Sequence, residues 1–210
     1  MNNYHYIIAS LPVLTPDYAF TKDTPEEWIA QILELLSKKD RKVVELLESG
    51  YNKENLGADF YKQALAQRNR FIHEFFLFDL CVRNAKVEFL NARLGRPAGT
   101  SELVLENEET GEPVELPEFE EAEATQAALA APDLLSREKA LDQLYWDKID
   151  AITTFDDFTL EAILGFIAKL HIVARWYALD EQTGREKFRA LVDEVRGTFK
   201  GVDSASKNIY

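Results

Sequence analysis

Five side chains could act together on one stretch of this sequence. Arg68, Asp79, Arg83, Lys86 and Arg93 fall within an arc of about 80° when residues 58–94 are wound at 100° per residue. Four cations around one carboxylate, set into an otherwise apolar surface, form the kind of group that grips a neighbouring protein. Asp79 and Arg83 are also spaced i, i+4, so an intrahelical ion pair accounts for those two without any partner. From the sequence, both roles are open.

The remaining reactive residue types do not assemble into a recognisable centre. Neither G-x-x-x-x-G-K-S/T nor G-x-G-x-x-G can be written anywhere in the chain, which argues against nucleotide binding. A single cysteine excludes zinc sites of the paired-cysteine kind, and none of the three histidines has a glutamate three residues before it, as bundled di-iron centres require. No cofactor and no metal is therefore expected. Cys81 sits in the apolar run Phe75-Phe76-Leu77-Phe78-Asp79-Leu80-Cys81-Val82 and is expected to be a buried, inert thiol. His73 and His171 are expected to pack or hydrogen-bond, with His5 exposed. Asp156-Asp157 and Glu120-Glu121 read as a helix cap and a solvated charge run rather than a general acid and base. Nothing here predicts an enzyme.

Charge narrows the partners further. The chain of 210 residues carries a formal net charge of −13, and ten glutamates with no Lys or Arg lie between Glu102 and Glu123, leaving the rest of the chain near −3. Neither part offers the basic surface that a nucleic-acid backbone attracts. The most apolar long segment, Phe158 to Leu179, contains Glu161, Lys169, His171 and Arg175, so it is expected to be a core helix and not a membrane span. The N-terminus has no basic n-region, and no secretory signal is expected.

The elements that must position these residues are helices. Tyr4 to Pro12 suits either a short extended piece or the first turn of a helix. Thr24-Pro25-Glu26-Glu27 is a capping box with proline at the first helical position, predicting a helix over about 24–37. A short helix over 42–48 ends at Gly50. No proline or glycine interrupts 58–94, which predicts one long helix stopped by Gly95-Arg96-Pro97 and, from its nearly all-round apolar character, central in the fold. Residues 98–132 read as an acidic insertion or linker with a small hairpin near Gly111 and an exposed Ala/Glu-rich helix over 118–130. Asp133 starts an amphipathic helix carrying Leu141, Leu144, Tyr145 and Ile149, and Phe155-Asp156-Asp157-Phe158 caps the next, which reaches about Leu179. A last helix is expected from near Thr183, and 201–210 as a frayed tail. The organisation is thus an N-terminal helical part (1–97), the insertion (98–132) and a C-terminal helical part (133–200), within a mainly all-α fold that is one compact domain or two small lobes.

Three longer segments and the N-terminus carry a resemblance. Tyr6-Ile7-Ile8-Ala9-Ser10-Leu11-Pro12 resembles the opening of a bacterial family that accompanies V-type ATPase operons. Phe78 to Gly95 is similar to that family's central segment, itself like the aspartate, asparagine and lysine pattern in the rotor-adaptor subunit of V- and A-type ATPases. Arg137 to Asp147 and Ala168 to Trp176 resemble its C-terminal signatures. The resemblance implies a helical, funnel-like adaptor that receives the central stalk and sits on the membrane rotor ring, cytoplasmic and peripheral to the membrane. In such an adaptor the arc of Arg68, Asp79, Arg83, Lys86 and Arg93, read above from helical spacing, is the candidate partner contact. The chain is shorter than a full rotor adaptor of three helical lobes, leaving open whether it replaces or assists that adaptor. A free-standing helical scaffold or assembly factor is the alternative.

Overall fold

Cap residues set the helix boundaries. A computed structural model describes residues 4–20, 23–107 and 109–178, and eight helices lie among them. The first, α1 (Tyr4–Ser10), resolves the ambiguous N-terminus in favour of helix. The capping box forms as expected: the Thr24 amide donates to Glu27 Oε2 at 2.8 Å and the Glu27 amide to Thr24 Oγ1 at 3.3 Å, opening α2 (Pro25–Leu35). The next helix begins earlier than expected. Leu36 turns to extended backbone and Ser37 caps α3 (Lys38–Ser49) by accepting from the Asp40 amide, with Gly50 at its end.

The uninterrupted helix over 58–94 is two helices. α4 (Ala58–Leu65) ends at Ala66, and Asn69 then accepts from the Ile72 amide to start α5 (Arg70–Leu94). A side-chain cap offers the backbone an alternative to continuing the helix, and it needs neither glycine nor proline. Arg68 consequently lies in the link and is not on α5. The predicted stop holds: Gly95 adopts the left-handed conformation (φ 64°), and its amide donates to the Asn91 carbonyl.

The insertion from Ala98 to Glu121 returns over α5 and is not a detached linker. Its Leu105 is buried in the main core, while Leu103 and Leu116 pack against that core. The expected hairpin reduces to one antiparallel bridge, Glu106 with Pro113, flanked by the Asn107 amide donating to the Glu112 carbonyl at 2.8 Å and the Val114 amide to the Leu105 carbonyl at 2.7 Å. α6 (Ala122–Leu129) is not an exposed helix. Thr125, Ala128 and Leu129 are buried between it, α5 and α7.

Asp133 caps α7 (Leu134–Thr153), as the sequence suggested. The cap before α8 (Leu160–Ala178) is one residue past the expected stretch, with Thr159 Oγ1 accepting from the Ala162 amide at 3.4 Å. α7 and α8 run antiparallel, and Gly165 lets them approach: a Cβ there would stand 2.7 Å from Thr153 Cγ2 and 3.3 Å from Ile149 Cγ2. α5 also runs antiparallel to α7, pairing Phe78 with Tyr145 near its middle and Phe89 with Arg137 near its end.

One apolar cluster draws from α1 to α5, the insertion, α7 and α8, so the N- and C-terminal helical parts share a core. α8 is central, burying Leu160, Ile163, Leu164, Ile167, Ala168, Leu170 and Val173. α5 is central only in its first half. Beyond Val82 it emerges, and Leu94 is 61% exposed. The helix expected from Thr183 and the tail 201–210 lie outside the described residues.

Candidate functional site

The Asp79 carboxylate is the hub of a polar seam between α4, α5 and α7. Tyr61 and Tyr145 both donate their hydroxyls to it, Tyr145 at 2.6 Å from Oδ1. Arg83 Nε donates to the Tyr61 oxygen at 2.9 Å, with the guanidinium 5.9 Å from that ring's centre. The intrahelical pair of Asp79 and Arg83 thus forms only through an inserted tyrosine. Tyr61 is fully buried and Tyr145 partly buried. Burial first, then the charge of Asp79, pushes both phenol pKa values up, so both hydroxyls keep their protons at neutral pH and serve as donors.

Beside the seam, α5, α7, α8 and the turn after α3 enclose a groove of about 440 Å³. Its apolar wall includes Phe75, Phe76, Leu141 and Ile172, and its polar wall Asp79, Lys86, Glu138, Asp142, His171 and Arg175. Arg175 pairs with Glu138 at 3.3 Å and with Asp142, which also accepts from the Trp176 indole at 2.6 Å. His171 Nε2 lies 2.7 Å from Glu48 Oε1 and stacks on Tyr51, ring centres 3.7 Å apart. Lys86 has no hydrogen-bond or ion-pair partner among the described residues.

Three of the five predicted residues therefore meet at one place, Asp79 and Arg83 in the seam and Lys86 in the groove. The other two do not. Arg68 is exposed in the α4–α5 link, and Arg93 is exposed at the end of α5 with its guanidinium 4.5 Å from the Phe89 ring centre. Tyr61, Tyr145, Glu138, Asp142 and Arg175 belong to the site without having been named as candidates, and His171, expected only to pack or hydrogen-bond, joins them. Charge spacing within one helix carries no information about a tyrosine that arrives from another.

The other two histidines and the cysteine are accounted for locally. His73 is exposed, its Nδ1 2.7 Å from the Leu65 carbonyl at the end of α4. His5 stacks on Phe158. Cys81 is half-buried rather than buried, and burial followed by Glu121 raises its thiol pKa, away from nucleophilic thiolate. Among the described residues no group of three or more His, Cys, Asp or Glu is placed to hold a metal ion. No helix there is long and apolar enough to cross a membrane.

Exposed apolar side chains gather at the two ends of α7. At its start Leu134 (69% exposed) and Leu135 lie beside the end of α5, where Leu90 and Leu94 are exposed. Past its end Phe155 (93%) and Phe158 are exposed, with Val13 (86%) on a segment that lines a groove with Asp156 and Asp157. Twenty helical residues, about 30 Å at 1.5 Å each, separate the two groups.

A family described as "Protein of unknown function (DUF2764)" matches residues 52–198. No curated protein and no solved structure matches the chain.

Proposed function

We propose a role for a chain that belongs to the DUF2764 family: it is a non-catalytic helical adaptor that couples the central stalk of a V-type ATPase to its membrane rotor ring, at the cytoplasmic face of the membrane. The carrying observation is the pair of exposed apolar ends, Leu90, Leu94, Leu134 and Leu135 at one and Val13, Phe155 and Phe158 at the other. A protein that links two bodies needs two separated contact surfaces on a stiff frame, and α7 with its neighbours is such a frame.

The resemblance supplies the identity of the partners. Its three longer segments are the later part of α5 (78–95), the first half of α7 (137–147) and the second half of α8 (168–176). All three contribute to the groove: Asp79 and Lys86 from the first, Glu138, Asp142 and Tyr145 from the second, His171 and Arg175 from the third. Segments far apart in the chain that line one groove fit a shared architecture better than three unrelated helical patterns.

Affinity purification of the tagged chain from cells that express the rotary complex tests the proposal. Stalk and ring proteins in constant proportion to the chain are the expected result. A complete complex that lacks the chain, in cells that make it, overturns the proposal. Recovery only with partial complexes assigns the assembly-factor role instead.

A further inference from the structure

The charged side chains that line the groove each have a hydrogen-bond or ion-pair partner, with a single exception among the described residues. Asp79 accepts from Tyr61 and Tyr145, Asp142 from Arg175 and Trp176, Glu138 from Arg175, and Glu48 lies against His171. The Lys86 ammonium lines the same groove and has no partner among the described residues. The Lys86 side chain is partly buried along the groove wall, and its ammonium is left to solvent or to a ligand in the groove. Its lowered pKa has burial as the leading cause, ahead of the opposing pull of Glu138 and Asp79.

We propose that the groove is a binding site for a single carboxylate borne on an apolar body, with Lys86 receiving the carboxylate and Phe75, Phe76, Leu141 and Ile172 lining the space for the body. An ammonium in a partly dehydrated wall forms charge-assisted hydrogen bonds of the stronger kind. The valence follows from the lining. Lys86 and Arg175 stand against Asp79, Glu138 and Asp142, a formal balance of −1, so a dianion such as phosphate meets twice the repulsion that a monocarboxylate does. The volume of about 440 Å³ and the mostly apolar wall fit a small organic acid or one acidic side chain flanked by apolar residues.

Four probes separate the cases: 4-phenylbutyrate, its uncharged amide, the capped peptide Leu-Glu-Leu and the same peptide with Gln in place of Glu. Titration calorimetry with the full chain, and lysine NMR to follow the Lys86 resonance, give the readouts. At least one carboxylate probe should bind and move that resonance, while its amide counterpart binds roughly tenfold or more weakly, the scale of one charge-assisted hydrogen bond. Lys86→Met should abolish the preference for the acid over the amide and Lys86→Arg should keep it. Binding of the free acid but not the peptide assigns a small-molecule ligand. Binding of the peptide alone assigns an acidic side chain of a bound chain. If neither acid binds, or acids and amides bind alike, the proposal is overturned. Both variants should fold, because Lys86 holds no contact that the fold needs.

Discussion

The Tyr145 hydroxyl stands 2.6 Å from Asp79 Oδ1, joining α7 to α5 across 66 residues of sequence. The Tyr145 ring also packs edge-on to Phe78 and Phe75, so the hydroxyl and the ring can be tested apart. Tyr145→Phe keeps the ring and leaves Asp79 short of one donor. Chemical unfolding should show a loss of about 1–2 kcal/mol. In an Asp79→Ala background the same change should cost almost nothing, since the donor no longer has an acceptor to serve. Equal costs in both backgrounds would remove the seam from the account of how α5 and α7 are held.

Gly165 sets the spacing of α7 and α8. The methyl group of Gly165→Ala would meet Thr153 Cγ2 at 2.7 Å, and that side chain cannot swing away freely because its Oγ1 donates to the Ile149 carbonyl at 2.8 Å. The usual gain from replacing a helical glycine is thus outweighed, and a net loss of about 1–3 kcal/mol is expected. Gly57→Ala is the control. A Cβ there meets nothing within 4 Å, and only the smaller loss of a poorer N-cap for α4, below about 1 kcal/mol, is expected. Similar results at the two positions would contradict the close approach of these helices.

The acidic insertion is held by amides on α5. Asn84 Nδ2 donates to the Leu103 carbonyl at 3.0 Å while its Oδ1 accepts from the Leu103 amide at 2.9 Å, imitating a β-bridge with a side chain. Asn91, itself buried, donates to the Thr100 carbonyl at 2.8 Å. Asn84→Ala should open the insertion locally while the rest of the fold stands. Hydrogen exchange at Leu103 and cleavage by a glutamate-specific protease between 102 and 123 should both accelerate, with a small effect on global unfolding. Unchanged exchange would mean that Leu103, Leu105 and Leu116 hold the segment by packing alone.

What the sequence shows plainly are the features that act within one turn of chain. The capping box at Thr24, the cap at Asp133 and the left-handed Gly95 each need only neighbouring residues, and each stands where the local pattern puts it. The break between α4 and α5 was legible in principle, since Asn69 is a favoured cap residue, but a search for glycine and proline passes over it. The alanine-rich stretch of α6 looks exposed because alanine sits equally well on either side of a helix, and only the packing of Thr125 and Leu129 decides. Asp79 and Arg83 show the limit. Their spacing is visible, whereas the Tyr61 hydroxyl between them is a product of the tertiary fold.

Lys86 and the tyrosines of the seam pull the pH dependence in opposite directions. The native pKa of Lys86 is below its ordinary 10.5, so between those two values the unfolded chain binds the extra proton and stability rises with pH. Tyr61 and Tyr145 are pushed above 10.0, so the native state keeps protons that the unfolded chain releases, and stability falls as pH climbs past 10.0. Below that point the upward slope due to Lys86 is separable. Lys86→Met should raise stability by roughly 1 kcal/mol at neutral pH and flatten this slope. A loss of stability instead would show that the ammonium is satisfied in the folded chain.

If the two ends of α7 hold different bodies, damage to one must spare the other. Leu94 and Leu134 touch little of their own chain, as does Phe155, so aspartate at any of these positions should change the stability of the isolated protein by no more than about 0.5 kcal/mol. Leu94→Asp with Leu134→Asp should then release one partner from the affinity-purified assembly, and Phe155→Asp the other, each leaving the remaining contact intact. Loss of both partners from either variant would point to one continuous interface. Retention of both in every variant would show that neither end is a contact surface, and the adaptor proposal would lose the observation that carries it.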